Sequence, residues 1–262
     1  MTQKTKRKNR CISLLVVVLL LGLWWLLSAL QVFPAFVFPG PGRVARAFWR
    51  MLLSGELLRG MLVSTGRVLT GFGISFLLAF ALGVLSGMAP GLNPWYRHLL
   101  EFIRYIPPMS LIPLLILWFG IGEASKIIII VLTSFFPIFL NTNSGLSQCD
   151  GKLLELGEAL GMSRWQIFFR IRLPAAVPSI LVGMRIGLGY SWRAIVGAEM
   201  IAAASGIGYL ILDAQALSRT DKVLVGIVVG ALAGLVNGLL TAYLALPAFI
   251  VTLAGMLIFR GL

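Results

Sequence analysis

The sequence predicts an all-α membrane protein, a polytopic bundle of about six transmembrane helices with one charged cytoplasmic loop. Of its 262 residues, 59% are hydrophobic and 12% are charged, whereas about a quarter of the residues in soluble domains are charged. The chain contains several apolar runs of about 20 residues, the length that spans a bilayer. The segments between these runs are too short for a sizeable soluble domain.

The composition argues against most enzyme chemistry. Cys11 and Cys149 are far apart and in no metal-ligand spacing, and His98 is the one histidine. Zinc sites need three or four clustered ligands, and general acid–base catalysis most often uses histidine. We therefore expect no catalytic site, no cofactor and no metal site. In a membrane protein the net charge of +13 is a topology signal and does not indicate nucleic-acid binding.

The N-terminus is expected in the cytoplasm. Residues 1–10 carry five basic side chains and precede an apolar run from Cys11 to Leu30, and such basic flanks stay inside. A cleaved signal peptide is the alternative, but the run exceeds an ordinary signal-peptide core and ends in a poor cleavage site. We predict an uncleaved first span.

The predicted membrane domain covers residues 11–246. Residues 31–60 precede the second span, and their latter half predicts an amphipathic helix on the membrane surface, bearing Arg43, Arg46, Arg50 and Arg59. Prolines at 107, 108, 113 and 137 predict breaks or kinks inside spans. The remaining five spans are expected at about 68–88, 101–119, 126–146, 178–204 and 223–246.

Pairs of glycines four residues apart occur in three of these spans. Small residues at this spacing allow helices to approach closely in lipid, so we expect them to mark packing faces. The pairs are Gly83 with Gly87, Gly183 with Gly187 and Gly234 with Gly238.

The charge distribution supports this topology modestly. Counting from a cytoplasmic N-terminus, the inside segments carry eleven Lys and Arg residues and the outside segments carry eight. The charged stretch 147–174 then lies in the cytoplasm. The four arginines of residues 31–60 oppose the bias, unless their helix binds lipid headgroups.

The loop 147–174 predicts a helix, a glycine turn and a second helix. Leu153, Leu156 and Leu160 fall on one helical face together with Gly157. Gly161 suits a left-handed cap, Ser163 and Gln166 have capping-box spacing, and Pro174 is expected to end the second helix. The aromatic and basic side chains of the second helix fit a partner protein with an apolar groove or, equally, the membrane surface.

Residues 10–225 resemble the permease subunits of ABC importers, in particular the sulfonate, taurine and nitrate branch. The loop matches the EAA motif, E-A-A, three residues, G, nine residues, I-x-L-P, with Leu156 and Gly157 in place of the two alanines. Collinear stretches sharpen the resemblance: LIPLLILWFGIGEASKI, FFPIFLNT, PSILVGMRIGLGYSWRAIVGAEMI and SGIGYLI.

The resemblance implies an inner-membrane subunit that forms a homodimer and binds two cytoplasmic ATPase subunits through the loop. It also implies an external substrate-binding protein, periplasmic or surface-bound. The sequence lacks the phosphate-binding pattern G-x-x-x-x-G-K-[ST], so ATP is expected on the partner. The implied docking residues are Glu155, Gly157, Gly161, Ser163, Ile171, Leu173 and Pro174.

The C-terminal part departs from this branch. Residues 226–262 resemble an internal piece of ribose- and xylose-type sugar permeases, and residues 247–262 form an atypical apolar segment. A non-transporting hybrid or truncated membrane protein, or a sugar-importer fragment, is therefore the alternative function. A proton-coupled transporter is disfavoured because inverted repeats and titratable groups near the midplane are not evident.

Charged residues in the fifth span are candidates for the translocation path. Arg185, Trp192 and Glu199 are spaced by seven and fall near one helical face, and Arg193 adjoins them. Intramembrane charges usually face protein or water, although snorkelling or pairing with a neighbour explains them equally well. Arginines here favour a small anionic solute, an aliphatic sulfonate such as taurine, or nitrate.

Overall fold

A computed structural model describes residues 3–88, 91 and 93–243 of the chain. Within these residues the secondary structure is helical, without strands, which confirms the all-α prediction. A 3₁₀ turn at Pro108–Leu111 and a π-helical turn at Phe168–Arg172 join neighbouring helices. The α-helices are α1 Gln3–Ala29, α2 Pro41–Leu53, α3 Glu56–Met88, α4 Asn93–Tyr105, α5 Ile112–Phe119, α6 Glu123–Ser147, α7 Gly151–Ala159, α8 Arg164–Ile167, α9 Leu173–Ala202, α10 Ile207–Ala216 and α11 Thr220–Tyr243.

By length and composition, three helical segments of the described chain can each span a membrane. They are Glu56–Met88, Glu123–Ser147 and Arg164–Ala202, and a bent pair brings the number to four. Val18–Ala29 within α1 is a shorter apolar helix. The predicted first and sixth spans fall on α1 and α11, and the segment 247–262 lies outside the described residues.

The predicted third span is not one straight helix. The segments Pro94–Tyr105 and Pro108–Phe119 meet at 84°. Pro107 is extended (φ −63°, ψ 119°), because a residue that precedes a proline is driven out of the helical region. The expected break at the two adjacent prolines is therefore confirmed, and the predicted third span, 101–119, is part of a bent pair of helices.

The predicted end of the second loop helix at Pro174 is also wrong. The helix runs from Arg164 to Ala202 without interruption, and Pro174 lies in the first turn of α9. The preceding turn is π-helical, with the Leu173 amide donating to the Phe168 carbonyl five residues back. A widened turn relieves the clash that a proline ring makes with the carbonyl four residues before it.

The described residues fall into two compact units, one with residues up to 59 and 210–230, the other with residues 60–209 and those from 231 onward. In the second unit, α6 packs between α3 and α9 around a buried core that includes Phe72, Ile130, Ile138 and Ile195. A Cβ added to Gly83 would lie 2.7 Å from Cγ2 of Thr142 in α6. The close helix packing is built on such glycines.

Two of the three glycine pairs have the predicted packing role. Cβ atoms added to Gly87 and Gly187 would lie 3.1 Å from the side chains of Leu146 and Ile138, respectively. One added to Gly183 would lie 2.7 Å from the Asn141 Cβ. The surroundings of Gly234 and Gly238 lie outside the described side chains.

In the first unit, α2 is the predicted amphipathic helix. Its buried face consists of Val44, Ala47 and Met51, while its arginines at 43, 46 and 50 are exposed. The indole N–H of Trp24 donates to the Pro39 carbonyl at 3.1 Å, so α1 holds the segment that leads into α2. The position of α2 on a membrane surface stays a prediction.

We expect the Gly183→Ala variant to be less stable than the wild type. The new methyl would meet Asn141 Cβ at 2.7 Å and the Pro137 carbonyl at 2.9 Å, and overpacking of this kind costs about 1–3 kcal/mol. Thermal unfolding of the purified chain in detergent measures the effect as a lower midpoint.

Gly189→Ala is the matched control. Gly189 lies in the same helix, and a Cβ there meets nothing within 4 Å. Its midpoint should stay constant or rise slightly, because alanine favours helix. Equal midpoints for both variants would contradict tight packing of α9 on α6.

Candidate functional site

Helix α7 and the start of the following helix are held by capping contacts at each end. The Asp150 carboxylate accepts the Lys152 amide at 3.0 Å at the beginning of α7. At its end, Gly161 has φ +68°, and the amides of Gly161 and Met162 donate to the carbonyls of Glu158 and Gly157 at 2.9 and 3.0 Å. This is a Schellman motif, and its left-handed residue favours glycine.

The predicted capping box at Ser163 is present. The Ser163 amide donates to Gln166 Oε1 at 2.8 Å, and the Gln166 amide donates to Ser163 Oγ at 3.3 Å. The turn between α7 and α8 is therefore fixed from both sides. The sequence prediction of helix, glycine turn and helix is confirmed.

The inner side of the loop is tightly packed. A Cβ added to Gly157 would lie 2.9 Å from Ile171 Cδ1 and 3.2 Å from Ile167 Cγ1, so α7 packs on the π-helical turn through a glycine. Leu173 is partly buried and packs against the core of the second unit. Four of the implied docking residues, Gly157, Gly161, Ser163 and Ile171, thus shape the loop.

The outer side of the loop is apolar and exposed. Trp165 and Phe169 are 61% and 55% exposed, and their rings stack with centroids 6.0 Å apart. Leu153 and Leu156 of α7 and Leu160 after its end are also exposed, whereas Gly157, which was expected on the same face, is buried. Glu155 and Pro174 are exposed as well. Several large apolar side chains exposed on one short segment indicate an interaction site, and we call these five apolar side chains the loop surface.

The path candidates lie in two different environments. Arg185 and Arg193 are exposed along one side of α9, and Arg193 lies 5.7 Å from the Tyr190 ring centroid. Trp192 is partly buried, and its Nε1 has no hydrogen-bond partner among the described residues. Glu199 is fully buried.

Glu199 belongs to an ion-pair network centred on the buried Arg67, which is 6% exposed, while the second carboxylate of the network, Glu123, is exposed. Arg67 Nη1 donates to Glu199 Oε1 and to the Ser205 carbonyl, both at 2.7 Å. Its Nε and Nη2 donate to the Glu123 carboxylate at 2.6 Å. Lys126, also buried, donates to Glu123 at 3.0 Å. The network therefore joins α3, α6 and α9.

The second oxygen of Glu199 is also bound. Oε2 accepts the Gly208 amide at 3.0 Å at the beginning of α10, where unpaired amides and the helix dipole favour an anion. Ser64 Oγ lies 2.8 Å from both carboxylate oxygens and accepts the Ile207 amide at 2.9 Å. This fully buried carboxylate thus has a charged donor, Arg67, on Oε1, the neutral Gly208 amide on Oε2, and the Ser64 hydroxyl within reach of both oxygens.

Two glycines leave room for this carboxylate. Gly206 has φ +116°, and a Cβ there would overlap the Glu199 carboxylate. At Gly208 a Cβ would lie 2.7 Å from Glu199 Cβ and would overlap the Val196 carbonyl. The two glycines of the stretch SGIGYLI, which begins at Ser205, therefore leave the space that the buried Glu199 occupies.

Sequence reasoning missed Arg67, Glu123 and Lys126 as a site. Arg67 and Lys126 were counted only as charges flanking spans, where snorkelling is the ordinary expectation. The available signal was topological. In the predicted topology, the second and fourth spans begin on the outer side of the membrane and the fifth span ends there. Arg67, Glu123, Lys126 and Glu199 are therefore expected at the same depth in the membrane.

The comparisons with known proteins agree with this architecture. The chain matches the family model for the binding-protein-dependent transport system inner membrane component over residues 79–259. It is 36% identical over 229 residues to a putative aliphatic sulfonates transport permease protein of Bacillus subtilis, covering 87% of this chain and 83% of that one. It is 34% identical over 181 residues to a nitrate import permease protein of Synechocystis, covering 69% and 66% of the two chains.

One solved structure shares the fold. It describes inward-facing conformations of the MetNI methionine ABC transporter, with a TM-score of 0.52 and 18% identity, covering 80% of this chain and 97% of the other. Together with the family match and the sequence relatives, the apolar helices identify the chain as an integral-membrane permease of the ABC transporter class. The chain belongs to the family of binding-protein-dependent transport system inner membrane components, whose ATPase is a separate subunit.

We expect Arg67→Met to destabilise the chain strongly. The change leaves the fully buried Glu199 without its cation, and breaking a buried ion pair on one side costs about 3–5 kcal/mol. Unfolding in detergent, followed by heat or denaturant, measures the loss. Replacing both Arg67 by Met and Glu199 by Leu should recover part of it.

The exposed pair of Arg97 and Glu101, with Nε and Oε1 3.1 Å apart, provides the control. Arg97→Met should cost no more than about 0.5 kcal/mol, because exposed ion pairs contribute little. If Arg67→Met were equally mild, the network would not hold the helices together.

Proposed function

We propose that the chain is the translocation subunit of an ABC importer for a small anion, an aliphatic sulfonate such as taurine, or nitrate. Its N-terminus lies in the cytoplasm of a multi-pass inner-membrane protein. Two copies form the passage, a cytoplasmic ATPase dimer binds residues 147–174 of each copy, and an external binding protein delivers the solute. The observation that carries this proposal is the exposed loop surface on a segment held rigidly at both ends.

The loop surface fits a groove on a partner protein. Stacked aromatic rings are favoured anchors at protein interfaces, and the capped turns mean that little conformational entropy is lost on binding. The surrounding Lys152, Arg164 and Arg170 are exposed. These features favour a groove with an apolar floor and an acidic rim.

The loop is mechanically continuous with a membrane span. The helix from Arg164 to Ala202 has 39 residues, and Gly157 ties α7 to this helix through Ile171. Arg172 Nη1 donates to the Gly87 carbonyl at 3.1 Å, so the same turn holds the end of α3. When ATP closes the nucleotide-binding subunits, movement of the docked loop would tilt α9 and α3 together.

The exposed side of α9 is proposed to line the passage. Arg185 and Arg193 are eight residues apart, about 12 Å along a helix, and guanidinium groups bind sulfonate and nitrate oxygens through charge-assisted hydrogen bonds. Trp192 lies beside them. The relatives named above are described as transporting sulfonates and nitrate, which supports an anionic solute.

Glu199 is proposed to fasten the outer end of the passage. Its two oxygens bind Arg67, Gly208 and Ser64, so contact with an anionic solute is disfavoured by geometry and by charge. Tilting α9 would strain these contacts first. The ion-pair network would therefore oppose the opening of the passage to the outer side.

The second copy is proposed to cover the exposed side of α9. Charged side chains within spans face protein or water and avoid lipid. Val182, Ile186 and Tyr190 lie exposed on the same side as the two arginines. In a homodimer with a water-filled passage between two such sides, the arginines would contact water and the apolar side chains would pack against the second copy.

We expect the Trp165→Ala/Phe169→Ala variant to lose the ATPase. Removing two exposed aromatic anchors should weaken docking more than tenfold, since such anchors dominate interfaces. Copurification with the ATPase encoded with it, in detergent, measures the effect. Trp95→Ala is the control, because Trp95 is 87% exposed but lies outside the loop, and it should capture the ATPase normally. Undiminished capture by the double variant would contradict docking through these two side chains and would favour the membrane-surface interpretation.

We expect Arg193→Gln to slow uptake without affecting assembly. Loss of about 1 kcal/mol of attraction corresponds to about a fivefold lower maximal rate of taurine or nitrate uptake. Proteoliposomes containing the ATPase and the binding protein provide the assay, and ATPase capture should be unchanged. Arg193→Lys should retain most of the rate, whereas an equal loss in Arg97→Gln would argue against a path position.

A further inference from the structure

The first unit contains an open, basic cavity that the transport function does not use. Its volume is about 690 Å³, and its wall combines α2, the segment that leads into it and the beginning of α11. The lining residues are Ala35, Phe36, Pro39, Arg43, Arg46, Trp49, Arg50, Ser218, Arg219, Thr220 and Asp221.

The charge in this cavity is strongly unbalanced. Four arginines line it against one carboxylate, that of Asp221. Asp221 lies 3.5 Å from Arg219 Nη2 and 3.8 Å from Arg50 Nη2, so its charge is already shared by two cations. Lys222, next in sequence, is paired with Glu56 at 2.9 Å. An excess of three positive charges remains in the wall.

The arginines of α2 have unused hydrogen-bonding capacity directed along one face. Arg43, Arg46 and Arg50 lie at i, i+3 and i+7, which places them on the same side of a helix. Arg43 Nη1 donates to the Ala35 carbonyl at 2.9 Å and Arg46 Nε to the Gly42 carbonyl at 3.2 Å. Each guanidinium carries five N–H donors, so these contacts leave several for a ligand. Oxyanions match such forks in charge and geometry.

The apolar side chains of the cavity identify the source of the oxyanion. Phe36 and Trp49 line it and are 64% and 60% exposed, and Val37 and Leu53 nearby are also exposed. A free oxyanion in water gains nothing from these side chains. A phospholipid does, because aromatic and arginine side chains together mark the level of the headgroups.

The size of the cavity also favours a phospholipid headgroup. Its volume of about 690 Å³ falls in the range of pockets for drug-sized ligands, about 300–1,000 Å³. A whole glycerophosphate headgroup fits this range better than a single small oxyanion. The apolar face of α2 is buried in the protein, which leaves its arginine face for the ligand.

We propose that this cavity binds the headgroup of an anionic phospholipid, with its phosphate on the α2 arginines and Arg219. Phosphatidylglycerol is the probe of choice. The bound lipid neutralises arginines that the predicted topology places on the outer side of the membrane.

The test compares lipids in nanodiscs and by native mass spectrometry of the full chain. Phosphatidylglycerol should raise the thermal midpoint above that in phosphatidylcholine and should be retained on the released protein. The Arg43→Gln/Arg46→Gln variant should bind it roughly 25-fold more weakly, because each cation near an anionic lipid contributes about fivefold. Arg43→Lys/Arg46→Lys should retain most of the preference.

Arg59→Gln is the matched control, since Arg59 is exposed but does not line the cavity. It should bind phosphatidylglycerol like the wild type, and all variants should keep the wild-type elution volume and helical circular dichroism. Equal stabilisation by both lipids, or equal loss in Arg59→Gln, would overturn the proposal. Arginine-dependent binding of inorganic phosphate or taurine without a lipid preference would also overturn it, in favour of a small-oxyanion site.

Discussion

The helical packing of the second unit depends on the ion pairs that the Arg67 guanidinium forms. This guanidinium binds Glu123 of α6 on one side and Glu199 of α9 on the other, while its own helix is α3. Burying an unpaired charge costs far more than packing alone supplies. Each of the three helices is therefore held in the register that satisfies this one side chain. The glycine contacts along α6 then determine how closely the helices approach.

This arrangement gives α9 two fixed ends of different kinds. The loop is joined to one end by an unbroken helix, and at the other end Glu199 is bound in the ion-pair network. A continuous helix of 30 residues, about 45 Å long, could transmit a tilt from one end to the other in the proposed mechanism. The exposed arginines lie between the two ends, where such a tilt would change access from either side. The proposed coupling thus requires helix continuity and a polar anchor.

Most of the fold could be predicted from the sequence, and the parts that could not share a physical reason. The Gly161 cap and the Ser163 capping box are local signals, and each was confirmed, whereas three or four of the six predicted spans are long and apolar enough in the described chain. The continuation of the helix through Pro174 was harder, because a proline alone does not show whether a neighbouring turn widens to accept it. The network on Arg67 was missed because it joins residues up to 138 positions apart. Pairings at such separations become visible only when the spans are stacked by topology.

The basic residues assigned to the outer side illustrate why composition alone gave an ambiguous topology. The positive-inside rule acts on loops during insertion and gives acidic residues little weight. The count of eleven inside and eight outside Lys and Arg residues therefore describes insertion and does not describe the folded state. The folded state depends on the partners that each cation finds. Arg67 and Lys126 find Glu123, and Lys222 finds Glu56. The arginines at 43 and 46 donate to backbone carbonyls, which leaves their charge unbalanced. Among the cations assigned to the outer side, one group thus forms ion pairs within the protein, while the other remains accessible to headgroups and solvent. The sequence around each residue does not distinguish the two groups.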